Sequence, residues 1–179
     1  MTLRVWGRLA LIAFGAVILQ VGVLNQVVIG GVHLDLFLLL AICAGFVAGP
    51  QRGAVMGFVL GLLADIFVQT PFGLSALCFV LVAFAVGLVV EALPGLPTFG
   101  FQLVTALLGG ILGTLLFDGL AVVMGQPSVS HGQLAVIAIV VGAGCVLLAR
   151  PVCMLMEWTV AVAPGIRRDA EIFAGGSAR

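Results

Sequence analysis

Three aspartates carry the chemical potential of a chain that has almost no charge. Asp35, Asp65 and Asp118 lie inside apolar runs or at their edges. A carboxylate in a membrane span costs about 2.5–3.5 kcal/mol on insertion scales, so it should face protein or a wet cavity. Three kinds of chemistry are open to such groups. Each can be satisfied singly by nearby hydroxyls or backbone, with Thr70, Ser75 and Thr114 at hand. Together they can line a polar pocket, where close carboxylates raise one another's pKa. As a pair sharing one proton, Asp65 and Asp118 could activate water.

The last reading finds no support in spacing. An intramembrane aspartyl protease would carry a G-x-G-D signature, and Leu63-Ala64-Asp65 stands there instead. There is no Ser/His/Asp set, no H-E-x-x-H and no phosphate-binding loop, so no catalytic residue is assigned and the chain is not read as an enzyme. Cys43, Cys78, Cys145 and Cys153 occur singly, without C-x-x-C spacing. They read as small buried apolar filler rather than metal ligands or a disulfide framework. His33 and His131 read as solvated loop residues, and His33 near Asp35 is the one pair of interest. No metal or cofactor is expected.

The elements that must position these groups follow from composition. The chain is 63% hydrophobic and 8% charged, with a mean hydropathy of +1.37. A soluble domain needs more surface charge than that, so the class is an all-α integral membrane protein. The zero net charge gives no case for nucleic-acid binding. The length fits six spans of about 20 residues with short loops.

Arg4 and Arg8 precede a first span over about 9–29, read as an uncleaved signal anchor, with Gln20 and Asn25 in its second half and Gly30-Gly31 breaking it. A short second span covers 34–49. Asp35 at its head suits an N-cap, and Pro50 stops it. The third covers 53–68, the fourth 74–93, the fifth 98–124 and the sixth 132–149. Breakers at Pro71–Gly73, Pro94–Pro97 and Gly125–Pro127 separate them. Residues 152–163, with Glu157 and Trp158, are too short to span and read as interfacial. The reading is one transmembrane domain over 1–163 and a cytoplasmic tail over 164–179.

Gly53, Gly57 and Gly61 recur every four residues, and Asp65 is the next step. Each step drifts 40° on a helix, so Gly57, Gly61 and Asp65 share a face with Gly53 at its edge. Gly109 and Gly113 repeat the spacing in the fifth span. Small residues so spaced let another helix approach closely in lipid. Asp65 lies near the C-terminus of its own helix, where the macrodipole disfavours a negative charge, so capping is not expected of it.

All seven basic residues are Arg, and with six spans all fall on the side of the N-terminus. The positive-inside rule then places both termini in the cytoplasm. In that frame Asp35, Asp65, Asp118, Gln20 and Asn25 all lie toward the outside. This predicts a water-accessible pocket open outward, formed by spans 1, 2, 3 and 5.

Residues 49–77, G-P-Q-R-G-A-V-M-G-F-V-L-G-L-L-A-D-I-F-V-Q-T-P-F-G-L-S-A-L, resemble the MreD family of rod-shape-determining membrane proteins. The likeness lies in G-x-x-x-G-F-x-x-G-L-L-x-D followed by a P-x-G-L-x-A-L turn. It extends over about residues 34–90, although Leu34-Asp35-Leu36 replaces the family's Pro-Asp-Leu. The resemblance implies a non-enzymatic subunit of the bacterial cell-elongation machinery in the cytoplasmic membrane, supporting peptidoglycan synthesis. Its implied partners are the bitopic MreC protein, the actin homologue MreB, and the membrane glycosyltransferase and transpeptidase of wall elongation. It also implies a six-helix fold similar to the substrate-binding subunits of energy-coupling-factor vitamin transporters. A substrate-binding transporter subunit is therefore the second functional expectation, with a ligand contacted by Asp35, Asp65 and Asp118.

Overall fold

The computed structural model describes residues 3–20, 22, 28–29, 32–33, 35–67, 73–93, 99–125 and 131–160. Five α-helices carry the fold: α1 (Leu3–Leu19), α2 (Leu36–Phe67), α3 (Leu74–Ala92), α4 (Phe99–Val123) and α5 (His131–Val160). Two short strands, β1 (Val28–Ile29) and β2 (Val32–His33), pair antiparallel, with Ile29 opposite Val32.

Four helices are long and apolar enough to cross a membrane, over Leu36–Ile66, Leu74–Ala92, Gly100–Val123 and Gly132–Trp158. Their outward faces carry exposed Leu108, Ile139 and Leu147, the last 79% exposed. Apolar surface on this scale needs an apolar medium. The chain is a multi-pass membrane protein.

The expected count of six spans is corrected in three places. The α-helical part of the first element is Leu3–Leu19, its apolar stretch among the described residues is Gly7–Leu19, and Val28–Ile29 is strand rather than the end of a helix. The second and third spans belong to one helical element, α2, broken at Gly49. The segment after Pro151 is not a separate interfacial piece. It continues α5 to Val160, because Val152, Cys153 and Met156 are buried in the core at helical spacing.

The break in α2 is sharp. Gly49 has φ 79° and ψ 176°, a backbone region open essentially to glycine alone. In an unbroken helix, residues eight apart are about 12 Å distant. Here a Cβ built on Gly53 would lie 2.5 Å from the Cα of Gly45. The chain therefore reverses at Gly49-Pro50, and residues 36–48 and 50–67 run side by side. The first limb is the centre of the protein: every residue from Leu36 to Gly45 is buried.

Helix α3 packs into the angle between the limbs. A side chain at Gly45 would strike the Ala83 carbonyl, one at Gly61 the Ala76 backbone, and one at Gly87 the Pro50 backbone. Gly57 would meet the Phe79 carbonyl at 2.8 Å. Helix α4 lies against the first limb, with Gly109 on Ile42 and Gly113 on Leu38, and meets α5 where Gly110 approaches Gly142. All five glycines of the sequence pattern thus sit where helices approach closely. Gly45, four residues before Gly49, belongs to the same set, as do Gly87 and Gly142, which lie outside any four-residue repeat.

The ends of the chain's helices meet. Arg8 Nη1 donates to the Trp158 carbonyl at 2.8 Å, and the guanidinium carbon sits 3.9 Å from the centroid of the Trp158 ring. That carbonyl belongs to the last turn of α5, whose acceptors have no helical partner. A cation there also suits the helix dipole.

Candidate functional site

Asp65 lies one residue past Ala64 on the glycine face of α2, two residues before that helix ends. It is 4% exposed. Its Oδ2 accepts the Gly73 amide at 2.8 Å and its Oδ1 accepts the Ser75 amide at 3.1 Å. Gly73 occupies the N-cap position of α3 with φ 100° and offers no side chain to cap it. The helix therefore starts with free amides that the preceding helix supplies an acceptor for. Gly61, one turn earlier on the same face, lets α3 come close enough for the carboxylate to reach. The expectation that Asp65 cannot act as a cap is overturned: it caps the next helix, not its own. The positive end of α3 offsets the unfavourable dipole of α2.

Asp35 caps α2. Its Oδ1 accepts the amides of Phe37 at 2.9 Å and Leu38 at 3.2 Å, and its carbonyl accepts Leu39 at 3.3 Å. The remaining first-turn amide, Leu36, donates to Gln20 Oε1 at 3.0 Å. All four amides that begin α2 are thus satisfied, three of them by two side chains. Burial raises the Asp35 carboxyl above the ordinary carboxylate range, opposed by the bonds from Leu38 and Phe37.

The aspartates share a depth. Leu38 faces Gly113, and Gly45 faces Ala83. Counting 1.5 Å per residue from those contacts, Asp35, Asp118 and the Ser75 amide that Asp65 holds fall within about 6 Å along the bundle. They do not share a face. Asp118 is five residues from Gly113, about 140° round α4 from the surface that meets Leu38. It lies about 20° from Ile111, which with Leu107 faces Gly142 of α5. Asp35 and Asp65 each spend their bonds on helix ends. Asp118, half-buried, makes no side-chain hydrogen bond among the described residues. Asn25 and the side chains of His33 and His131 lie outside the described residues.

The cysteines are all free and buried. Cys78 Sγ donates to the Gly113 carbonyl at 3.3 Å, which ties α3 to α4 at the glycine contact. Among the described residues no group of His, Cys, Asp and Glu could hold a metal ion.

Sequence reasoning missed Gln20 as a capping group and the Asp65–α3 bond. A signal for the second exists. The turn before Leu74 supplies no Ser, Thr, Asp or Asn at the cap, while a carboxylate waits at the end of the preceding helix.

Family models, curated proteins and solved structures give no match to the chain.

Proposed function

We propose that the protein is a non-enzymatic subunit of the bacterial cell-elongation complex, of the MreD kind, which works by presenting and holding helices in the cytoplasmic membrane. The observation that carries this reading is the local construction of residues 49–77, the stretch on which the resemblance rests. Gly57 and Gly61 are packing positions against α3, and Asp65 holds the start of α3. Residues that resemble the family's motif therefore serve helix assembly. Of Asp35, Asp65 and Asp118, the first two are committed to backbone amides, which supports a structural role over a solute site.

Two limbs of α2 that reverse at Gly49 would cross as separate passes. With Arg8 against Trp158, that path supports both termini on the cytoplasmic side. The partners in this reading are an MreC-like bitopic protein, an MreB-like actin homologue and the glycosyltransferase and transpeptidase of wall elongation.

Affinity purification from gently solubilised membranes tests it. Recovery of the bitopic protein and the wall-elongation enzymes supports the reading, and recovery of none of them argues against it. A thermal-shift screen with vitamins and cations addresses the transporter alternative, which a specific ligand would favour.

A further inference from the structure

We propose that Arg8 and Trp158 form a binding site for the phosphate of an anionic phospholipid at one rim of the bundle. Arg8 opens the short apolar stretch Gly7–Leu19, and Trp158 closes the span Gly132–Trp158. The pair thus stands where apolar surface gives way to headgroups, the level at which tryptophan is enriched. The guanidinium is oriented from two sides: one N–H is donated to the Trp158 carbonyl and the group lies over the indole ring. Both partners are neutral, and no carboxylate pairs with Arg8 among the described residues. An arginine carries five N–H donors in a planar fork that matches phosphate oxygens. Among the described residues one donor is used, and the rest of the fork is held in a fixed plane.

Placement supports a lipid rather than a soluble anion. Arg8 is half-buried, Trp158 is 51% exposed, and the outer face of α1 beside them carries Leu11 and Phe14, each 68% exposed. A phosphate at Arg8 would leave its acyl chains along that face. The bound lipid would bridge α1 to α5 at the contact of Arg8 with Trp158.

The test is native mass spectrometry of the full chain released from bilayers of equal phosphatidylglycerol and phosphatidylcholine. The wild type should retain phosphatidylglycerol preferentially. Arg8→Gln should reduce that preference about fivefold, the scale of one basic residue at an anionic surface, while Arg52→Gln leaves it intact. Equal preference in Arg8→Gln and wild type, or an equal loss in Arg52→Gln, overturns the site. Complete displacement of the lipid by millimolar inorganic phosphate would assign the same chemistry to a soluble anion and overturn the lipid. A second readout keeps Arg8 in place. In a Trp6→Phe background, spin-labelled phosphatidylglycerol should quench Trp158 fluorescence more than spin-labelled phosphatidylcholine, and equal quenching contradicts the proposal.

Discussion

The Asp65 carboxylate accepts the amide of Gly73 at 2.8 Å, so the last turn of one helix supplies the cap that the first turn of the next lacks. A second bond to Ser75 makes the contact bidentate. Because the group is buried, its loss leaves two amides without an acceptor. Asp65→Ala should lose about 3 kcal/mol, on the scale of hydrogen bonds to a charged group. Asp65→Asn, which keeps one acceptor oxygen, should lose less. Thermal unfolding of the purified protein in one detergent ranks the three forms, and an unshifted Asp65→Ala would refute the cap.

Gly61 and Gly119 form a matched pair of tests. A Cβ at Gly61 would strike the Ala76 backbone, whereas at Gly119 it would meet nothing within 4 Å. Gly61→Ala should destabilise by about 1–3 kcal/mol through forced separation of α2 from α3. Gly119→Ala should be neutral or slightly stabilising, since alanine is the better helix former. Equal melting temperatures for the two variants would contradict the packing.

Gly49 makes a third test. Its φ of 79° with ψ of 176° is costly for any side chain. Gly49→Ala should cost about 1–3 kcal/mol by backbone strain. Thermal unfolding of the purified protein in one detergent measures the loss, and a Gly49→Ala variant as stable as the wild type would mean that the chain does not reverse there.

Asp35 gives a pH dependence whose sign is set by its raised pKa. The folded state holds the proton more tightly than the unfolded chain. Stability from this group is therefore greatest at acid pH and declines as pH rises through the unfolded and then the folded pKa. Asn caps a helix as well as Asp does and does not ionise. Asp35→Asn should match or exceed the wild type in melting temperature at pH 7, and the gap should close on acidification. Asp35→Ala should lose about 1 kcal/mol at acid pH and less at pH 7. A wild type that loses ground to Asp35→Asn as pH falls would reverse the sign and contradict this account.

Much of this was legible in residues with a single strong preference. The hydropathy required a membrane, and Gly57, Gly61, Gly109 and Gly113 fell where helices touch because spacing on a helix fixes direction. Asp35 sits at the head of its helix, and capping is local. What was not legible is what depends on distant partners. Asp65 looked unfavourable because its acceptor geometry belongs to another helix, eight residues on. Trp158 reads as interfacial from its sequence, but nothing there says that Arg8, 150 residues away, meets it. The Pro151 break was overvalued, since burial of Val152, Cys153 and Met156 holds α5 together across it. Asp118 resembled its two counterparts in depth and differs in direction, which only the contacts of α4 with α5 reveal.

The Asp65 carboxylate ties α2 to the start of α3, and the proposed cell-elongation role asks of it only that. The most direct measurement replaces the chromosomal copy with Asp65→Asn and scores cell shape, with the amount of folded protein in the membrane measured in the same cells. The account predicts that rods are retained in proportion to the folded protein that remains. Loss of rod shape with folded protein at wild-type level would contradict it.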